Sequence, residues 1–240
     1  MTSTPVFSRE VCVIGGGGHV GLPLALTFAA SGLKTLIYDT NSATVEAIRR
    51  GIMPFSEDGA PELLRKVLDQ GLLDVRETPE QMSECRFLVL VIGTPVDQHL
   101  TPSFTGMNRA IDACADHLRD GQILILRSTI FPGISEHIQK NLKARGLDIH
   151  VAFCPERVAQ GHSLKEIRQL PQILSAFDPD TFLAVRELFG RFADEFIEMT
   201  PMEAELCKLM TNASRYIQFA VVNQFYTIAR ENGLDFDRIL

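Results

Sequence analysis

Lys208 and Asn212 stand one helical turn apart within residues 200–215. A cation beside a carboxamide suits a site where an oxygen gains negative charge, because both groups can donate hydrogen bonds to it. Glu205, Lys208, Asn212 and Arg215 follow at spacings of three, four and three, so a helix stacks all four on one face. Leu206, Leu209, Ala213, Ile217, Ala220 and Val221 supply an apolar side. A K-x-x-x-N standing alone is more often a solvated helix face, so its meaning depends on what the rest of the chain places beside it.

The helix that must carry these residues has a sharp start: Thr200, Pro201 and Glu203 are ordered as N-cap, first helical residue and capping-box acid, and the helix is expected to reach at least Arg230. Upstream, the apolar run 11–15 stops in glycines as a buried parallel strand does. Gly16, Gly18 and Gly21, with His19 and Val20 between them, then spell G-x-G-x-x-G ahead of a helix over 22–32. Glycines there permit a tight turn, close approach of a pyrophosphate and close helix packing. A second strand, 34–39, ends in Asp39, 18 positions after Gly21, where an acid holds the ribose hydroxyls of NAD and repels the extra phosphate of NADP.

Asn41 is placed to cap a helix through 45–50, a loop follows at 51–59, and a helix covers 62–70. Strands at 86–92, 122–127 and 150–154 run into G-T-P at Gly93, S-T at Ser128 and P-E-R at Pro155, with a helix over 107–118 between the first two. The runs 172–177 and 194–198, separated by a helix over 179–189, extend the alternation. The pattern predicts an α/β fold: a doubly wound, mostly parallel sheet of the Rossmann type over residues 1–199, then the long helix from residue 200 to 240. Ligands gather at the carboxyl ends of such strands, so Thr94 and Thr129 read either as ordinary helix caps or as cofactor and substrate contacts.

Composition sets the outer bounds. A formal charge of -7 argues against a general nucleic-acid or membrane-surface binder while leaving room for a small basic pocket. Five cysteines in an odd, unpaired pattern read as reduced, mostly structural thiols, no metal site is expected, and with neither a signal peptide nor a membrane-length apolar run the expected location is the cytoplasm.

The G-x-G-x-x-G-L-P from Gly16, the G-T-P at Gly93, the S-T at Ser128, the F-C-P-E-R at Phe153 and the A-E-L-C-K-L-M-T-N at Ala204 together resemble the UDP-glucose/GDP-mannose dehydrogenase family over almost the entire chain. P-E-R-V with E-L-C-K-L-x-x-N looks most like members acting on UDP-N-acetylhexosamines such as UDP-N-acetylmannosamine. The resemblance implies two successive NAD-dependent oxidations of a sugar C6 alcohol to a carboxylate, with the intermediate aldehyde held on a cysteine. It implies that Lys208 and Asn212 stabilise the anionic oxygen and position water, that Glu156 is the base in thioester hydrolysis and that Thr129 orders water. It places Gly16, Gly18, Gly21, Asp39, Thr94 and Thr129 against NAD, and leaves Arg157 and Arg215 to offset sugar or phosphate charge. It further implies that residues 200–240 begin an all-α dimerisation region, so a homodimer through the long helix is expected.

The departures bear on activity. The family's nucleophile lies in a downstream G-G-x-C motif that these residues do not contain, and Cys154 and Cys207 match it nowhere. Gln160 and Gln224 replace residues often acidic in relatives. The chain is therefore expected to be the NAD-binding and central-helix portion, without the carboxyl-terminal UDP-binding domain. Two alternatives stay open: a beta-hydroxyacid or 6-phosphogluconate-type dehydrogenase, and a catalytically silent NAD-binding or dimerisation module. From Asp39 alone, NAD is expected to bind more tightly than NADP in titration calorimetry, and Asp39→Ala to weaken NAD binding without unfolding the chain.

Overall fold

Short apolar runs bounded by glycines build the strands, and the amphipathic segments between them cover both faces of the sheet. The computed structural model describes residues 6–93, 105–158 and 161–239. Among these residues, β1 (Arg9–Ile14), β2 (Thr35–Tyr38), β3 (Leu73–Arg76), β4 (Cys85–Leu90), β5 (Ile123–Leu126), β6 (His150–Phe153), β7 (Gln172–Ala176) and β8 (Phe196–Glu198) form one sheet in the order β3-β2-β1-β4-β5-β6-β7-β8. Val11 and Val13 of β1 face one core, Cys12 and Ile14 the other; with both faces covered, the period of two is filled by apolar residues throughout. Helices α1 (Gly21–Ala30), α2 (Ser42–Arg49), α3 (Ala60–Asp69), α6 (Ser163–Gln169) and α7 (Pro179–Phe189) pack on the first face. Helices α4 (Thr105–Cys114) and α5 (Ile134–Ala144), with the first turns of α8 (Pro201–Glu231), pack on the second.

Local signals and tertiary structure agree at the caps. Asn41 accepts from the Thr44 amide at 3.2 Å, and Thr200 and Glu203 make the reciprocal capping box that opens α8. Strand β3 was not anticipated from the sequence. Only Leu73 and Val75 point inward, too short an alternation to register, and its outward Asp74 pairs with Arg9 and Arg76, each at 3.0 Å. Charged side chains of this kind also keep an edge strand from pairing with another chain.

The larger difference is one of direction. Strands β1 to β6 are parallel, but β7 pairs antiparallel with β6, through Ala152↔Ala176 and Phe153↔Ser175, and β8 is parallel to β7. After β6 the chain runs along the sheet edge through Pro155 and Glu156 before α6 begins at Ser163. The link from Phe153 to Gln172 leaves and rejoins the sheet at the same edge, as antiparallel neighbours require, and α6 within it rises about 10 Å. The buried carboxylate of Glu57 holds this return in place by accepting from the Gly161 and Leu164 amides, both at 3.1 Å.

Arg127, at the end of β5, fastens the reversal from inside. It is 1% exposed, pairs with the Glu156 carboxylate beyond β6, donates to Gln172 at the start of β7 at 3.3 Å, and lies 5.0 Å from the Phe189 ring centre. Removing one member of a buried pair leaves the other uncompensated. Arg127→Met is therefore expected to lower unfolding stability by about 3–5 kcal/mol in denaturant titration, with a cooperative transition retained.

Candidate active site

The glycine loop connects β1 to α1 and is held by β2. The amides of Gly15 and Gly16 donate to the Tyr38 carbonyl at 2.8 and 3.3 Å, and the Gly17 amide donates to Asp39 Oδ2 at 2.8 Å. Three of these glycines, Gly15, Gly16 and Gly21, are required by the backbone around them, and Gly17 is crowded by side chains. A Cβ on Gly15, whose φ is +76°, would run into the Val91 carbonyl. One on Gly16 would sit 2.8 Å from the Val13 oxygen, one on Gly17 2.6 Å from Thr44 Cγ2, and one on Gly21 2.6 Å from the Gly15 oxygen. Gly18 is different: its nearest neighbour to an added Cβ is the Gly15 oxygen at 3.8 Å. The space beside Gly18 lies at the amino end of α1, which has no side-chain cap. Uncapped helix amides and backbone open to close approach together fit a pyrophosphate, so the residues present suit a dinucleotide.

Across the sheet edge, the loop after β6 presents Glu156. Its Oε1 accepts from the Arg157 and Val158 amides at 2.7 and 3.3 Å while Oε2 meets Arg127, so both carboxylate oxygens are engaged. The Glu156 backbone carbonyl accepts from Lys208 Nζ of α8. Lys208 is there because of the reversal at β7. β8 ends at the far edge, and the climb of α8 from Pro201, at about 1.5 Å per residue, brings Lys208 up to the edge where β5 and β6 end. Burial lowers the Lys208 pKa below the ordinary lysine value; the Glu156 charge opposes that, and Arg215, Arg127 and Arg157 add to it.

Two adjoining cavities meet at this lysine. One, of about 350 Å³, is lined by Gly18, His19, Val20 and Gly21 on one side and by Ser128, Thr129, Glu156 and Lys208 on the other. The second, of about 500 Å³, is lined by Arg157, Lys208, Asn212 and Arg215, with Glu166 its acidic group. The structure thus brings together Thr129, Glu156, Lys208 and the glycine loop, and, on the other side of Lys208, Asn212 and the two arginines. Gly16 and Asp39 line neither cavity. Gly16 is a packing glycine, and Asp39 supports the loop through the Gly17 amide. Thr94 and Gln160 lie outside the described residues. Ser128 is a staple between strand ends, its Oγ donating to the Ile92 carbonyl at 2.7 Å and accepting from the Ile92 amide at 3.0 Å.

A roomier cavity, of about 650 Å³, opens at the opposite edge among Phe177, Asp178, Glu198, Thr200 and Glu203. Asp178, Thr200 and Glu203 there are committed to capping: Asp178 accepts from the Thr181 amide at 2.8 Å, and Thr200 and Glu203 serve each other. Chemistry therefore belongs to the smaller pair. Arg127 is the residue that the sequence reading passed over, although a cation closing an apolar strand run is a visible anomaly. Cys154 is fully buried and its thiol is pushed up to about 12 by that burial, and Cys207 packs half-buried against the second core. Among the described residues no group of three or more His, Cys, Asp or Glu is placed to hold a metal, and no helix is long and apolar enough to cross a membrane.

A glycine loop at the switch point of a doubly wound sheet, facing a lysine delivered by the following helix, defines the NAD-binding domain of a dehydrogenase. Residues 9–193 match the model of the UDP-glucose/GDP-mannose dehydrogenase family, NAD binding domain, and the chain belongs to that family. It is 31% identical over 231 residues to a UDP-N-acetyl-D-mannosamine dehydrogenase of Methanocaldococcus jannaschii, covering 95% of this chain and 53% of that protein. It is 29% identical to an NDP-N-acetyl-D-galactosaminuronic acid dehydrogenase of Ralstonia nicotianae, covering 95% of this chain and 56% of the relative. The solved structure of the UDP-D-ManNAc dehydrogenase from Pyrococcus horikoshii superposes with a TM-score of 0.87 at 28% identity, over 96% of this chain and 56% of that one. The chain spans about half the length of the curated relatives it matches.

The packing contrast among the glycines separates binding from folding. Gly18→Ala is expected to leave the melting temperature within a few degrees of the parent and to weaken NAD binding at least tenfold by calorimetry, about 1.4 kcal/mol. Gly21→Ala is expected to destabilise the chain first, because its Cβ meets backbone at 2.6 Å.

Proposed function

We propose that this chain is the NAD-binding and central-helix portion, residues 1–199 and 200–240, of a nucleotide-sugar 6-dehydrogenase that oxidises the C6 hydroxyl of a UDP-sugar to the uronate. The substrate is a UDP-N-acetylhexosamine such as UDP-N-acetylmannosamine, or UDP-glucose. The observation that carries this reading is that Lys208 borders both cavities, so one ammonium stands between the cofactor side and the basic side. When bound, NAD supplies the hydride acceptor. Gly18, His19, Val20 and Gly21 with the start of α1 would hold its pyrophosphate, with Gly16 keeping the turn tight behind them, Asp39 would hold its ribose, and Thr94 and Thr129 would supply the remaining contacts. Asp39 needs only to redirect acceptor capacity now spent on the Gly17 and Asn41 amides.

Lys208 and Asn212 donate hydrogen bonds to the C6 oxygen as it gains charge. A lysine whose pKa is lowered by burial is also a readier proton partner near neutral pH than a surface one. Glu156 must exchange one of its present partners for water before it acts as a base, and Thr129 orders that water. Arg157 and Arg215 neutralise the diphosphate. Helix α8 exposes Tyr216 at 77%, Ile217 at 65%, Phe219 at 60% and Phe225 at 57%, an apolar surface that supports pairing with a second copy along this helix. Five free cysteines suit a reducing cytoplasm, and uronate production suits polysaccharide biosynthesis.

The family match sets aside the beta-hydroxyacid reading. NADH formation with a panel of UDP-sugars, by this chain and by this chain joined to the carboxyl-terminal half of a matched relative, tests the proposal. The joined protein is expected to produce uronate. The chain of 240 residues is expected not to complete the second oxidation, since it contains no G-G-x-C motif and burial pushes the thiols of Cys12, Cys114 and Cys154 up. NAD binding without NADH formation from any UDP-sugar in the joined protein would leave only the silent module.

A further inference from the structure

We propose that Glu205 is a positioning residue: its carboxylate, locked onto the amino end of α5, sets the height of α8 and so places Lys208 between the two cavities. Helix α5 begins at a residue that cannot cap it. Gly133, with φ of +90°, is its N-cap and offers no side-chain acceptor. The acceptor comes from α8 instead: Glu205 Oε2 accepts from the Gly133 amide at 2.6 Å, and Oε1 accepts from the Ser135 amide at 2.9 Å and the Ser135 hydroxyl at 2.6 Å. Glu205 and Ser135 are each 1% exposed. A buried carboxylate with three donors at the positive end of a helix is a strong and directional anchor.

The anchor joins the two halves of the site. Lys208 is three residues further along α8, and a helix transmits a fixed point to the next turn with little slack. Gly133 is four residues beyond Thr129, so the same carboxylate ends the loop that lines the first cavity. Few other contacts do this work at the start of α8. The Thr200–Glu203 box is exposed and internal to the helix, and Ala204, fully buried in the second core, contributes packing without direction. Lys208 itself reaches the loop only through a flexible side chain bonded to the Glu156 carbonyl. The catalytic meaning of this placement rests on the dehydrogenase reading above; the placement itself does not.

The test compares Glu205→Gln with Glu203→Ala, which weakens the start of the same helix without touching the anchor. In each variant of the chain, the pH dependence of labelling by an amine reagent is followed at Lys208 by peptide mapping, with the 70%-exposed Lys140 as internal reference. The groups around Lys208 are Glu156, Arg215, Arg127 and Arg157, with burial the main cause of its lowered pKa. In the parent chain Lys208 is expected to titrate below the ordinary lysine value. Glu205→Gln puts an amide donor against an amide donor, so its Lys208 midpoint is expected to move up toward the ordinary lysine value and its accessibility to labelling, relative to Lys140, to rise several-fold. Glu203→Ala is expected to lower the melting temperature while leaving the Lys208 midpoint in place.

A folded Glu205→Gln with an unchanged Lys208 profile overturns the proposal. Should Glu205→Gln fail to fold, Ser135→Ala removes one of the three donors and is expected to shift Lys208 in the same direction by less; no shift there overturns the proposal equally. If Lys208 responds as expected but the joined protein makes no NADH from UDP-sugars, the positioning role stands and the dehydrogenase reading falls.

Discussion

Because β7 runs against β6, the chain leaves β8 at the edge of the sheet away from the glycine loop, and α8 has to climb back past it. A continued parallel crossover would have started α8 at the ligand edge and carried Lys208 away from it. The reversal is held by Arg127, which contacts the loop after β6 and the start of β7 at once. A core arginine facing an aromatic ring and a carboxylate is costly to desolvate. Here it joins β5, the loop after β6 and the start of β7, and so reinforces the two-residue antiparallel register between β6 and β7.

The acids nearest the site are largely committed to backbone amides. Glu57 takes those of Gly161 and Leu164, Asp39 those of Gly17 and Asn41, and Glu205 those of Gly133 and Ser135. Each joins segments distant in sequence or stiffens a loop at the ligand edge. The result resolves an apparent conflict between a chain of net charge -7 and a basic pocket. Arg157, Lys208 and Arg215 line the second cavity against Glu166 as its acidic group, since nearby carboxylates have been drawn into structural work elsewhere.

The glycine loop divides its labour in a similar way. Gly15, Gly16 and Gly21 are demanded by backbone atoms within the fold, so their presence says that the β1-turn-α1 unit is tightly packed. Gly18 is the one with room to spare, an added Cβ meeting nothing nearer than the Gly15 oxygen at 3.8 Å. An absent side chain with space around it is evidence for a visitor, whereas an absent side chain with no space is evidence for packing alone.

Local chemistry made much of this legible in the sequence. The glycine spacing, the apolar strand runs, Asn41 and the Thr200–Glu203 box depend on interactions within a few residues, and each is found where its pattern places it. The single face of Glu205, Lys208, Asn212 and Arg215 also follows from helix geometry alone. Three features waited on tertiary structure. Strand β3 is too short and too charged to show a period, and gains its identity by pairing with β2. The direction of β7 is fixed by its pairing with β6 and by the Arg127 contacts, all between residues far apart in sequence. The burial of Glu205 and Arg127 depends on what lies opposite them: 70 residues separate Glu205 from Ser135, and 45 separate Arg127 from Gln172. No local pattern encodes a partner at that distance, so sequence alone put Glu205 and Lys208 on one face, and only the fold made one an anchor and the other the residue it holds.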